Sequence, residues 1–68
     1  KMSVRFTVPS RQEEYLLTIL QDDRPIVEDE KIPPLTTEYI ISLSGTGTVF
    51  YDLYIDGEKY ITQKVTFD

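Results

Sequence analysis

The sequence predicts an all-β fold: two small antiparallel sheets, about six short strands in total, packed face to face as a sandwich. Three observations predict it. Apolar and polar side chains alternate at period two along most of the chain. Turn-forming residues interrupt that alternation at intervals of about ten residues, the spacing of a sandwich or barrel. No segment sustains the period of an amphipathic helix. Neither sheet could bury its apolar face alone, whereas two stacked sheets bury both.

Ser3 to Val8 is the first predicted strand, with Val4, Phe6 and Val8 inward, Arg5 and Thr7 outward, and Pro9 ending it. Ser10 to Glu14 is a polar connection. Tyr15 to Gln21 is the second strand. Two inward faces compete there: Tyr15, Leu17 and Ile19 against Leu16 and Leu20. Leu17 and Ile19 are preferred, because Thr18 lies on the other face. The pair Leu16 and Leu20 would also fit a short helix, which Pro25 and the acidic pair would soon cut off. Asp22-Asp23-Arg24-Pro25 has turn composition. Pro25 to Lys31 reads as a short edge strand, since a proline and the run Glu28-Asp29-Glu30 suit an unpaired edge. Ile32-Pro33-Pro34-Leu35 is a stiff extended connection with little capacity for a ladder. Glu38 to Ser44 alternates again, with Tyr39, Ile41 and Leu43 inward and Ile40 and Ser42 outward. Gly45-Thr46-Gly47 is a flexible turn.

The sharpest signal is the closing hairpin, Thr48 to Phe67. Val49, Tyr51, Leu53 and Ile55 alternate with Phe50, Asp52, Tyr54 and Asp56, and after Asp56-Gly57 the apolar set resumes with Ile61, Val65 and Phe67. Loop length decides which faces match across the pair. A two-residue loop at Asp56-Gly57 would pair Leu53 with Tyr60 and split the apolar set. A three-residue loop, Ile55-Asp56-Gly57, pairs Tyr51 with Ile61 and keeps odd positions with odd. The three-residue form is therefore expected, with Gly57 in the left-handed position of a bulged turn. It leaves Phe50, Tyr54 and Tyr60 on the outer face.

Composition narrows the function classes. A chain of 68 residues is one domain, and at that size it buries only about 60% of its unfolded surface. It has no cysteine and no histidine. That removes disulfide support and the commonest general base and metal ligand. The net charge of −5 gives no basic face for nucleic acid and no polybasic patch for an anionic membrane. No apolar run reaches the length of a membrane span. Lys1 precedes Met2 and the chain enters a strand at once, the pattern of a domain excised from a larger protein.

Candidate sites are few. The acidic run Glu28-Asp29-Glu30, with Asp22 and Asp23 nearby, lacks the alternating ligands and glycine turn of a calcium loop and reads as a solvated edge. Asp52 and Asp56, on the outer face of one strand, lack the cleft that an acid–base pair needs. No nucleophile–base pair can be assembled. No catalytic, cofactor-binding or metal-binding residue is assigned, and no cofactor is expected. The contact candidates are the outer aromatics Phe50, Tyr54 and Tyr60, joined by Ile40. Aromatics on a flat sheet can stack on sugar rings or anchor an interface. They can equally pair across strands to stabilise the hairpin, or face a neighbouring domain.

Laid out in order, the strands resemble a known family. The matching pieces are Ser3–Val8, Gln12–Gln21, Asp22–Asp23, Thr36–Leu43, Gly47–Tyr51, Ile55-Asp56-Gly57-Glu58-Lys59 and Gln63-Lys64-Val65-Thr66-Phe67. Together they resemble the small immunoglobulin-like domain that ends the external region of some PASTA-type transmembrane serine/threonine kinases of Gram-positive bacteria. Pro33-Pro34 and the acidic edge depart from that pattern. The resemblance implies an immunoglobulin-like β-sandwich, a non-catalytic spacer, cap or contact module of a cell-wall-sensing region, and an extracellular location on a membrane-anchored parent. The implied partners are adjacent domains of the same chain and either peptidoglycan fragments or a protein, with no nucleic acid and no direct membrane contact. The kinase site of that family lies in a separate cytoplasmic domain, so no catalytic residue carries over. The alternative reading is a generic adhesion, carbohydrate-binding or phage structural β-sandwich that uses the aromatic face.

Overall fold

A computed structural model describes all 68 residues. It is all-β, with six strands: β1 (Met2–Thr7), β2 (Tyr15–Gln21), β3 (Arg24–Ile32), β4 (Glu38–Leu43), β5 (Gly47–Ile55) and β6 (Glu58–Phe67). Every pairing is antiparallel. β1 and β4 form a two-stranded sheet, and the other four form a sheet in the order β3-β2-β5-β6. β1, β2, β3, β4, β5 and β6 take the places of strands B, C, C′, E, F and G of an immunoglobulin-like sandwich, with no strand D between β3 and β4. The second segment is a strand, so the helical alternative for Leu16 and Leu20 does not occur. β3 is an edge strand as expected, one residue longer at each end than Pro25 to Lys31.

The core lies between the sheets. Val4, Phe6 and Val8 from the first segment meet Tyr15, Leu17, Ile19, Tyr51, Leu53, Ile55, Val65 and Phe67 from the large sheet. Phe6 meets Tyr51 edge to ring, with centroids 5.5 Å apart. Period two explains the selection: inward positions on each strand are two residues apart, so Leu17 and Ile19 are fully buried while Leu16 is exposed. Tyr39, Ile41 and Leu43 face the same core but stay partly open, because β4 is the edge of a two-stranded sheet. Gly45 is fixed by close approach: a Cβ there would stand 2.8 Å from the Phe67 ring.

The closing hairpin corrects the expected loop. Ile55 pairs with Glu58 and Tyr54 with Lys59, so the loop is the two residues Asp56 and Gly57. Both have positive φ, 49° and 83°. That is the pattern of a turn whose twist matches its strands, and aspartate and glycine adopt it most readily. Parity is restored one step later. A bulge leaves Tyr60 unpaired, and Leu53 then faces Ile61, with Tyr51 opposite Gln63. Odd positions do face odd positions, but through the bulge and not through a longer loop. The β2–β3 loop is built alike, with Asp22 and Asp23 at φ 51° and 63° between paired Gln21 and Arg24.

Ile61 departs from its expected core position. It sits opposite buried Leu53 yet is 46% exposed. β6 is an edge strand, and the covering sheet has only two strands, too few to reach the Ile61 end.

Candidate functional site

Two surfaces gather residues with contact chemistry. The first is the outer face of β5 and β6. Phe50 is paired with Lys64, Asp52 with Thr62 and Thr48 with Thr66. Thr62 Oγ1 donates to Asp52 Oδ1 at 2.6 Å, and the Lys59 ammonium stands 3.4 Å from the same oxygen. The Thr62 hydroxyl, with help from Lys59, holds the Asp52 carboxyl below its ordinary range. Asp52 is thus a half-buried carboxylate held ionised by its cross-strand neighbours. Thr48 and Thr66 hydroxyls lie 3.3 Å apart. Phe50 is 59% exposed in this polar surround. Tyr54 lies four residues along the same strand, about 13 Å away at the rise of an antiparallel strand. One flat ligand spanning both rings would have to be extended.

The aromatic set therefore divides. Phe50 and Tyr54 share the outer face of the large sheet. The bulge takes Tyr60 out of that alternation, and it lines a shallow depression with Arg11, Ile55, Asp56, Glu58 and Lys59. Ile40 is exposed on the outer face of the small sheet, on the other side of the sandwich, so it does not join Phe50 in one patch. Asp56 leaves the strand face altogether. It forms the turn, and its Oδ1 accepts the Leu16 N–H at 2.9 Å. The two aspartates thus have separate structural roles. No group of three carboxylates gathers closely enough to hold a metal ion.

The second surface is the end of the sandwich that carries the β1–β2, β3–β4 and β5–β6 connections. Arg11 is the pivot. Its guanidinium carbon lies 5.5 Å from the Tyr15 ring centroid, and its carbonyl accepts the Leu35 N–H at 2.9 Å. Tyr15 Oη in turn donates to the Pro9 carbonyl at 2.8 Å. Burial raises the Tyr15 phenol above its ordinary pKa, partly offset by Arg11. Leu35 is 62% exposed with φ at 66°, a left-handed conformation that leucine adopts at a cost of about 1–2 kcal/mol. Arg11 and Leu35 carry no motif in the sequence. Two connections bring them together, β1–β2 and β3–β4, and only the fold shows it.

No family model, no curated protein and no solved structure matches the chain.

Proposed function

We propose that the chain is a non-catalytic immunoglobulin-like contact module, working through the outer face of β5 and β6. The observation that carries this reading is the exposed Phe50 ring beside Lys64. The ring contributes nothing to the core between the sheets, and an exposed aromatic next to a cation and a row of hydroxyls suits recognition. The more specific form of the reading rests on the resemblance to PASTA-type kinases. There the module would be extracellular, would space or cap a cell-wall-sensing region, and would meet a neighbouring domain, a protein or peptidoglycan fragments. The same face also supports the alternative of an adhesion or carbohydrate-binding module outside that family.

Amide NMR shifts test the contact role. Soluble peptidoglycan fragments are titrated into the chain, and in parallel the chain is joined to its native upstream segment. The expected result is movement of Phe50, Tyr54 and Lys64 in at least one experiment. Unmoved signals at all three in both would reject the face as a contact surface. The polypeptide preceding Lys1 tests the kinase form separately: PASTA repeats and a membrane-spanning helix are expected there, and their replacement by other domains would overturn it.

A further inference from the structure

The small sheet is open on its β4 side, and the residues that join β3 to β4 do not fill it. Pro33 and Pro34 have no N–H to give a ladder. The N–H and the hydroxyl of Thr36 both return to the Pro33 carbonyl, at 3.4 and 2.8 Å. The connection is a closed turn, so no strand lies on the far side of β4.

The free edge can be assigned residue by residue. In an antiparallel ladder, the pairs that exchange hydrogen bonds alternate with pairs that do not. The Val8 N–H donates to the Thr37 carbonyl at 3.1 Å, in register with the β1–β4 ladder, so Tyr39, Ile41 and Leu43 turn their backbone groups toward β1. Glu38, Ile40 and Ser42 turn theirs to the open side. The flanking side chains are apolar. Tyr39, Ile41 and Leu43 point inward but are only half-buried, and Ile40 is 56% exposed on the outer face.

β3 floors the opening. The Gln63 amide of β6 donates to the Arg5 carbonyl at 3.0 Å, which places β1 on the β6 side of the large sheet and β4 toward β3. Glu30 stands opposite buried Leu17, an inward position, and is still exposed. Burial raises the Tyr39 phenol pKa and the Glu30 carboxylate adds to it, so Glu30 lies near the β4 edge. Neither ion pair of the molecule, Arg5–Glu38 or Lys59–Asp52, involves Glu30. The two edges are also guarded differently. β3 carries Pro25, Glu28-Asp29-Glu30 and an irregular register, devices that keep an edge unpaired. β4 carries one acid, Glu38, already held by Arg5 at 3.2 Å.

We propose that the opening between β4 and β3 receives an extended segment of a basic partner polypeptide, added as a strand on β4. Its apolar side chains cover Tyr39, Ile41 and Leu43, and a lysine or arginine among them meets Glu30. Free backbone groups at Glu38, Ile40 and Ser42 call for a peptide strand. Glu30, with a net charge of −5 on the chain, sets the sign of the partner. A single strand fits where a second copy does not. A copy paired through its own β4 would bring its large sheet into the space that β3 holds, and −5 would face −5. The site is separate from the outer face of β5 and β6.

The probe is a synthetic peptide of alternating valine and threonine with one central valine replaced by lysine. One control is the same peptide N-methylated along one edge, and another carries glutamate in place of the lysine. The readout is amide hydrogen exchange of the whole chain. Exchange at Glu38, Ile40 and Ser42 is expected to slow severalfold with the lysine probe, less with the glutamate peptide and not at all with the N-methylated one. Glu30→Gln, an exposed change outside the core, is expected to erase the preference for lysine over glutamate. Unchanged exchange at the highest soluble probe concentration, equal protection by either control, or a preference that survives Glu30→Gln overturns the proposal. Protection of these amides that grows with protein concentration in the absence of peptide also overturns it, in favour of a second copy.

Discussion

Tyr51 is fully buried, and its hydroxyl is the only buried side-chain polar atom without a hydrogen-bond partner. Burial, with Asp22 nearby, raises its phenol pKa. An unsatisfied buried hydroxyl costs about 1–3 kcal/mol, while its ring supplies the edge contact to Phe6. Tyr51→Phe keeps the ring and removes the liability. Denaturant unfolding is expected to show unchanged stability or a gain of about 1 kcal/mol. A loss of that size would mean the hydroxyl is bonded. At this scale the sequence was most legible where period two was unbroken. Val4, Phe6, Val8, Leu17 and Ile19 are buried as their spacing predicts. Tyr51 was legible as inward, but whether its hydroxyl finds a partner depends on the opposite sheet, which spacing does not describe.

The hairpin shows what alternation leaves open at the scale of the element. Parity between strands can be met by a three-residue loop or by a two-residue loop followed by a bulge, and both put odd positions opposite odd. Asp56-Gly57 favours the second, because both residues tolerate positive φ. The bulge at Tyr60 has no sequence signature, so the aromatic it displaces could not be separated in advance from Phe50 and Tyr54. Gly57→Ala puts a Cβ on a residue at φ 83°. It is expected to cost about 1 kcal/mol in denaturant unfolding, since an alanine is strained there even though no neighbour stands near. No loss would argue that Gly57 does not hold a positive φ in this turn. The β3 edge was legible because proline and charge mark edges directly, and Pro25 and Glu28–Glu30 do so here.

Sheet order belongs to the whole molecule. The strands and most of the core could be read along the chain, but their partition into β1-β4 and β3-β2-β5-β6 follows from long-range pairing. That partition creates what the sequence concealed. Ile61 is inward but uncovered, Ile40 lies on the opposite side from Phe50, and Arg11 and Leu35 converge at one end. A sandwich this small has little stability in reserve, and the Phe50 ring is 59% exposed and outside the core, the feature on which the proposed contact role rests. The measurement that tests this most directly is the equilibrium unfolding of Phe50→Ala. If the ring serves contact, the variant loses less than about 0.5 kcal/mol, the range of a surface substitution. A loss above about 1.5 kcal/mol would show that Phe50 is part of what holds the hairpin together, and would contradict the account.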